Sequence, residues 1–167
     1  MVLMAVLGEL GSGKTLSLTY LALRNHYKGR HIFANYHLHK IPFTLVTKPD
    51  DMLNMKDGFL AADELWTWAD SRVSGSARNK FVTMILAKSR KRDIHMAYSV
   101  QYFKSIDIRI RTVTDFVCLP KMNEKETVCR LFVYSNPSMV LQRVFKFKAQ
   151  PIFDLYDTKE EVSGLDF

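Results

Sequence analysis

The stretch Gly8-Glu9-Leu10-Gly11-Ser12-Gly13-Lys14-Thr15 decides how the rest of this sequence is interpreted. It matches the pattern G-x-x-x-x-G-K-[ST], in which glycines let backbone amides approach phosphate oxygens closely. The apolar segment Met1–Leu7 before it predicts a buried strand, and the periodic segment Thr15–His26 after it predicts a helix. A glycine-rich loop at a helix N-terminus binds oxyanions. We therefore expect this loop to bind a nucleoside triphosphate, with ATP as the favoured nucleotide. Lys14 is expected at the β- and γ-phosphates and the Thr15 hydroxyl on Mg²⁺.

Two carboxylates follow the apolar segment Phe59–Ala62, which predicts a buried strand. A buried carboxylate at a strand end is costly unless a cation or a water chain uses it. We expect Asp63 to hold the Mg²⁺ shell and Glu64 to orient and polarise the attacking water. Among proteins with a phosphate loop of this kind, a second carboxylate after the first favours the enzymes that hydrolyse the nucleotide over the kinases. The alternative is an ordinary loop start, because Asp and Glu are also favoured at helix N-termini.

A glutamine, Gln101, comes directly after the predicted strand Ile94–Val100. Its amide is placed to hydrogen-bond the γ-phosphate or the attacking water and so to sense hydrolysis. The alternative is a solvated loop glutamine.

Two pairs of arginines are candidates for stabilising the charge that develops during phosphoryl transfer, acting from a neighbouring subunit. They are Arg90, Arg92, Arg109 and Arg111. For each of them the alternative is a solvated basic helix end, which the helix dipole favours.

Strand and helix patterns alternate along most of the chain. The predicted strands are Met1–Leu7, His31–Asn35, Pro42–Val46, Phe59–Ala62, Ile94–Val100 and Asp115–Leu119, the last stopped by Pro120. The predicted helices are Thr15–His26, a short helix or turn from Pro49, and Ser76–Arg92. This order predicts an α/β fold of the P-loop NTPase kind, with a mostly parallel sheet covered on both faces.

The end of the chain changes pattern. Thr127–Tyr134 and Val140–Phe147 flank a turn and predict a long antiparallel hairpin, at about residues 127–148, on one edge of the sheet. We expect one ATPase domain over residues 1–153 and an acidic surface tail over residues 154–167.

Composition limits the class of protein. The 167 residues are 47% hydrophobic, which suits one domain with a real core and argues against disorder. Cys118 and Cys129 are predicted to be buried thiols in adjacent strands, in a reducing, intracellular setting. No apolar run approaches the roughly 20 residues that span a bilayer, so we expect a soluble, cytoplasmic protein without a membrane segment. The net charge of +7 suits a polyanionic partner, although many ordinary enzymes share it.

The ordered set of motifs resembles the FtsK–HerA superfamily of DNA-pumping ATPases. It comprises the phosphate loop, Asp63-Glu64 after a strand, Lys88-Ser89-Arg90-Lys91-Arg92-Asp93-Ile94-His95, Gln101 after a strand, and the hairpin. The chain looks like two small viral groups in particular: the genome-packaging ATPases of archaeal viruses and the zonula-occludens-toxin-like assembly ATPases of filamentous phages. Ala62-Asp63-Glu64-Leu65-Trp66, Asp70-Ser71-Arg72 and Tyr156-Asp157-Thr158 resemble the second group. The resemblance covers roughly residues 1 to 158.

This resemblance implies a homo-oligomeric ring, usually a hexamer, that moves DNA through a central pore. It makes Arg90 the first choice for the trans-acting arginine. Toxin-like phage members usually carry a membrane segment, so the expected lack of one favours packaging of double-stranded DNA into a capsid, with a capsid or portal protein as a partner. The alternatives are assembly or extrusion of a single-stranded phage genome, and a regulatory nucleotide-dependent switch without motor action.

A motor of this kind needs transient phosphate contacts that ignore DNA sequence. The polar, basic loop Ser71–Lys80 is the candidate for these contacts, through Arg72, Arg78 and Lys80. Trp66 and Trp68 precede it; we expect them to pack in the core or at a subunit interface, with base stacking as the alternative.

Overall fold

A computed structural model describes residues 2–68, 72, 75–77, 79–80, 82–84 and 90–162. Within these residues, strands join in one sheet. They are β1 (Leu3–Leu7), β2 (His31–Ala34), β3 (Phe43–Leu45), β4 (Gly58–Ala62), β5 (Ile94–Val100), β6 (Phe116–Met122), β7 (Val128–Ser135) and β8 (Leu141–Lys148). Their order across the sheet is β3-β2-β4-β5-β1-β6-β7-β8. Strands β1 to β6 pair in parallel, and β7 and β8 add antiparallel pairs at one edge.

Helices connect and cover the strands. They are α1 (Lys14–His26), α2 (Pro49–Asn54), α3 (Ile108–Val113) and α4 (Gln150–Phe153). Residues 77, 79–80 and 82–84 are also helical. Short 3₁₀ turns occur at Leu65–Thr67, Arg90–Arg92 and Phe103–Ser105. No helix within the described residues is long and apolar enough to cross a bilayer.

The centre of the sheet, at β4 and β5, is buried on both faces, as an unbroken apolar strand such as β4 predicts. Phe59 and Ala61 of β4 pack on the side of α1, with that helix's leucines. Leu60 and Ala62 point to the other face and pack in the cluster that contains Met52 of α2. Alternate residues of one strand therefore supply two separate cores.

The strand register brings the carboxyl ends of four parallel strands to one edge of the sheet. Leu7 of β1 lies opposite Val100 of β5, and Ala62 of β4 lies opposite Tyr98 of β5. Ala34 of β2 is in turn opposite Ala61. The residues that follow these strands therefore converge at the carboxyl ends of the strands, where open α/β sheets bind ligands.

The structure confirms the predicted α/β class, the mostly parallel sheet and the antiparallel hairpin. It also confirms that Cys118 and Cys129 are buried free thiols on adjacent strands. Burial raises the pKa of the Cys118 thiol to about 12. The described part of the predicted helix Ser76–Arg92 is helical at 77, 79–80 and 82–84, and residues 78, 81 and 85–89 lie outside the described residues.

Two predictions about element ends are wrong. Strand β6 does not stop at Pro120 but continues to Met122. Its registered pairs with β1 end at Cys118, so Pro120 has a strand on one side only and its missing N–H is tolerated.

The second error concerns the expected surface tail. Leu155 and Tyr156 are buried, and the His39 amide donates to the Leu155 carbonyl oxygen at 2.7 Å. The first residues after 153 therefore pack on the domain. Residues 163–167 lie outside the described part of the chain.

Candidate nucleotide-binding site

The phosphate loop joins β1 to α1 in a conformation that only glycine adopts easily. Gly11 and Gly13 have φ values of 75° and 94°, in the left-handed region. Gly13 is the N-cap of α1, and no side chain caps the helix there. The first amides of a 13-residue helix are therefore left to an anionic ligand.

The side chain of Lys14 is held at this loop. It is buried, and its Nζ donates to the carbonyl oxygen of Glu9 at 3.0 Å. An ammonium group has three donors, so the contact with Glu9 leaves two for phosphate oxygens. The Lys14 ammonium is therefore fixed at the phosphate loop by a contact within the loop itself.

Asp63 lies at the centre of a hydrogen-bonded network at the carboxyl edge of the sheet. Thr15 Oγ1 donates to Asp63 Oδ2 at 2.7 Å, and Ser99 Oγ donates to Asp63 Oδ1. Asn35, which follows β2, clamps the backbone: its Nδ2 donates to the Asp63 carbonyl at 2.8 Å, and the Asp63 amide donates to its Oδ1 at 2.7 Å. Neighbouring strands thus fix this carboxylate from two sides.

Burial raises the pKa of Asp63, while the hydrogen bonds from Ser99 and Thr15 and the charge of Lys14 oppose that rise. The nearby Glu64 carboxylate raises the pKa further. A carboxyl group held this way is stabilised by a cation beside it. The hydroxyl of Thr15 and the carboxylate of Asp63 are hard oxygen ligands of the type that Mg²⁺ takes, together with phosphate oxygens and water.

Glu64 occupies a strained turn directly after this carboxylate. Its φ is 52°, which an L-residue adopts at a cost of about 1 kcal/mol or more. Its amide donates to Ser99 Oγ at 2.9 Å, and its Oε2 accepts from Trp66 Nε1. Ser99 therefore contacts both acidic residues, and the turn holds the Glu64 side chain where it lines the cleft beside the loop.

This cleft has a volume of about 350 Å³ and combines the predicted residues with others that the sequence did not indicate. The predicted lining residues include Gly11, Gly13, Lys14, Thr15 and Glu64. Others come from the end of β6, the β6–β7 turn, the end of α4 and the segment after it: Met122, Glu126, Phe153, Tyr156 and Thr158. The packed C-terminal segment is thus part of the candidate site.

Asn35 and Ser99 are the other residues that sequence reasoning missed. Asn35 follows β2 just as Asp63 follows β4, so a polar residue at a parallel strand end was the available signal. Ser99 lies inside the apolar strand β5, and its polarity among buried neighbours was the corresponding signal.

Gln101 lies at the same sheet edge, one residue beyond Val100, which is paired with Leu7. It lines a separate, smaller cleft of about 210 Å³ with Trp66, Arg72, Tyr102 and Ser105. Trp66 links this cleft to Glu64 through its indole N–H. Trp68 is buried in the core as expected, whereas Trp66 is 40% exposed.

Arg90 and Arg92 lie at the opposite edge of the sheet. They precede β5, whose first residue, Ile94, is opposite the first residue of β4. Seven strand residues, about 20 Å, separate this edge from the phosphate loop. Arg92 Nη1 donates to the carbonyl oxygen of Leu53.

Arg109 and Arg111 make contacts within their own chain. Arg109 Nε and Nη2 donate to the two carboxylate oxygens of Asp107 at 2.9 and 2.7 Å. Arg111 Nε donates to the Ile106 carbonyl oxygen at 2.9 Å. Asp107 also accepts from the Arg109 amide and so caps α3. These contacts give both arginines a structural role at the start of α3.

The predicted DNA-contacting residues are spread over the segment after Trp68. Arg72 and Lys80 are exposed, and Arg78 lies outside the described residues. No group of three or more metal-ligating side chains occurs among the residues that the structure covers.

The chain is similar to known proteins in structure but not in sequence. No family model matches the sequence, and no curated protein matches it either. Solved structures do match. The N-terminal domain of zonular occludens toxin from Neisseria meningitidis aligns with a TM-score of 0.62 at 19% identity, covering 93% of this chain and 98% of that one.

Two archaeal virus proteins match as well. The genome packaging NTPase B204 from Sulfolobus turreted icosahedral virus 2, solved with ATP-gammaS, aligns with a TM-score of 0.62 at 10% identity, over 84% of this chain and 95% of that one. The DNA-packaging ATPase B204 from Sulfolobus turreted icosahedral virus aligns with a TM-score of 0.59 at 14% identity, over 86% and 96%.

The fold is that of a P-loop NTPase. The likeness to archaeal virus packaging ATPases and to a toxin-like domain is confirmed at the level of structure.

Proposed function

We propose that this chain is the ATP-hydrolysing subunit of a ring-shaped motor that moves double-stranded DNA, and that the motor packages a viral genome. The observation that carries the hydrolytic part is one cleft lined by Lys14, Thr15 and Glu64, with Asp63 hydrogen-bonded to Thr15 at 2.7 Å. The same fold in packaging NTPases of archaeal viruses supports the choice of DNA as the cargo.

In this proposal the phosphate loop binds the triphosphate. The free amides at the start of α1 and the Lys14 ammonium neutralise the β- and γ-phosphates. Mg²⁺, held by Thr15 and Asp63, would draw charge from the β- and γ-phosphate oxygens. Asn35 and Ser99 keep the Asp63 carboxylate in place from the neighbouring strands.

Glu64 is the proposed water-activating residue. The water oxygen bonds to the γ-phosphorus, the bond to the bridging oxygen breaks, and that oxygen leaves with the electron pair on ADP. Glu64 orients the water and accepts one of its protons as it attacks, and the released phosphate then takes up that proton. The Trp66 indole and the Ser99 hydroxyl hold Glu64 in the cleft, which supports a fixed catalytic position for this carboxylate.

The ring is proposed because Arg90, the first choice for the trans-acting arginine, lies at the other end of β5 from the phosphate loop of its own chain, about 20 Å away. Arg90 lies just before the first residue of β5, at the end of that strand away from the nucleotide cleft, so it would act on the site of a neighbouring subunit. Gln101 would sense the nucleotide state from the adjoining cleft that it shares with Trp66. A hexamer in the host cytoplasm that docks on a capsid or portal protein completes the proposal.

A second candidate is an ATPase that assembles or extrudes a single-stranded phage genome. The match to the toxin N-terminal domain favours it, since that domain has the highest identity of the solved structures described above. A third candidate is a nucleotide-dependent switch that uses the same site without moving DNA.

Steady-state ATP hydrolysis, measured with and without nucleic acid over a range of salt concentrations, separates the three. The motor proposal expects stimulation by duplex DNA of a length that threads a ring. Stronger stimulation by a single strand of the same length supports the second candidate. Hydrolysis that neither form of DNA changes would overturn the motor and leave the switch.

A further inference from the structure

Three basic side chains stand side by side on the strands β6, β7 and β8. The register sets Lys121 opposite Arg130, and Arg130 opposite Lys146. All three are exposed. We call Lys121, Arg130 and Lys146 the basic row. It lies on the sheet face opposite α1, because the intervening residues of these strands, such as Cys129 and Leu131, pack in the core on the side of α1.

Such a row is unfavourable by itself. Residues directly opposite on neighbouring antiparallel strands have Cβ atoms about 5 Å apart, and like charges there repel. In the part of the chain that the structure describes, no salt bridge joins any of the three to a carboxylate. Glu124 is the acidic residue that shares their cleft of about 520 Å³, which Lys125 also lines. The row therefore has a net positive charge that an external anion would neutralise.

We propose that the basic row binds the phosphate backbone of double-stranded DNA, an inference that rests on the proposed motor function. Duplex DNA has about one negative charge per 1.7 Å of its axis, so adjacent cations on a rigid sheet meet several phosphates at once. Contacts of this kind ignore base sequence, as a motor requires. This surface is distinct from the segment that contains the predicted DNA-contacting residues Arg72 and Lys80.

The neighbouring row of side chains favours a duplex over a single strand. On the same face, two residues along each strand from the basic row, Leu119 lies opposite Phe132, and Phe132 lies opposite Val144. Single-strand binding draws much of its energy from bases stacked on free aromatic rings. Phe132 is half-buried between two aliphatic side chains, so the row offers cations without an open stacking platform.

The basic row is connected to the nucleotide cleft through the end of β6. Lys121 is followed by Met122, whose Sδ lies 3.3 Å from the position that a Cβ on Gly13 would take. Met122, the last residue of β6, and Glu126, in the β6–β7 turn, line the nucleotide cleft. A phosphate bound at Lys121 is therefore one residue away from a side chain that packs on the phosphate loop.

The test is the triple variant Lys121→Ala, Arg130→Ala and Lys146→Ala in the full chain. Its matched control is Lys28→Ala, Lys40→Ala and Lys56→Ala, which removes the same charge from exposed positions elsewhere. Binding to a fluorescent duplex of about 20 base pairs is measured by anisotropy between about 50 and 200 mM salt. A single strand of the same length is the second probe, and binding of a fluorescent ATP analogue and a thermal melt check folding.

The proposal expects the basic-row variant to bind duplex at least about tenfold more weakly than the control variant, with a salt slope lower by about 2 to 3. Its melting temperature should be unchanged or higher, since a repulsive row is removed. The conservative variant Lys121→Arg with Lys146→Arg should retain duplex binding.

Equal duplex binding by the basic-row and control variants would overturn the inference while leaving the motor proposal intact. A loss confined to the single-stranded probe would also overturn it. If the parent chain hydrolyses ATP but binds no duplex, both the inference and the motor proposal fail.

Discussion

Thr15 Oγ1 donates a 2.7 Å hydrogen bond to Oδ2 of Asp63, which lies 48 residues further along the chain. The contact joins the first turn of α1 to the end of β4, on neighbouring elements that the parallel sheet brings together. In our account the two oxygens act on one Mg²⁺ ion, so removing either should disable the same step.

A double-mutant cycle tests that shared role. Thr15→Val and Asp63→Asn should each lower kcat/KM for Mg²⁺–ATP by about 100-fold, and the double variant should be little worse than either alone. ATP hydrolysis titrated with Mg²⁺ is the measurement, and Thr112→Val on the exposed side of α3 is the control. Losses that multiply would show that the residues act independently.

Glu64→Gln preserves the shape of the side chain and an oxygen that can accept from the Trp66 indole, but it removes the carboxylate. We expect turnover to fall by about 10²- to 10⁴-fold with ATP affinity unchanged. Single-turnover hydrolysis and nucleotide titration measure the two quantities separately. Glu161→Gln, at an exposed position, is the control. Normal turnover would exclude Glu64 as the water-activating residue.

Arg90 tests whether the site is completed by a neighbour. Arg90→Ala and Lys14→Ala should each be inactive alone, because one lacks the trans-acting cation and the other cannot hold the triphosphate. Mixing them creates interfaces that pair an intact phosphate loop with an intact Arg90, so activity should return. ATP hydrolysis across a series of mixing ratios is the measurement, and failure of every ratio to recover activity argues against a trans role.

Arg109 should behave differently, since its guanidinium pairs with the fully buried Asp107 side chain. Arg109→Ala should lower the melting temperature by a few degrees, and Arg109→Lys by less. The Arg109 guanidinium holds the pKa of Asp107 below its usual value. The stability that this ion pair contributes should therefore be present at neutral pH and be lost as the pH falls through that lowered pKa. The difference in melting temperature between the parent chain and Arg109→Ala should disappear over the same pH range. An unchanged melt at pH 7, together with rescue by mixing, would instead make Arg109 the trans-acting residue.

The sequence predicted the parts of this site that local patterns encode. Gly13 and Lys14 are set by a contiguous motif, and Asp63 follows an apolar run that reads as a strand. Ser99 and Asn35 were missed because their contacts with Asp63 cross between strands 28 to 36 residues apart. Only the order β2-β4-β5 in the sheet brings them together.

Other differences have equally specific causes. No element was predicted over Ile108–Val113, which forms α3, because Asp107 caps the helix start and Ile110 is buried in the core. Tyr156 belongs to the segment from Asp154 that was predicted to be an acidic surface tail. Its backbone instead pairs with Leu38, and its side chain lines the nucleotide cleft. Neither outcome follows from local composition.

The most direct test of the motor is movement itself. A third DNA strand annealed to a duplex reports translocation when a motor displaces it, and its release is followed by fluorescence. We expect release that requires ATP and Mg²⁺, occurs with the parent chain and is absent with Glu64→Gln. Hydrolysis of ATP by the parent chain on this duplex without any release of the third strand would contradict the account.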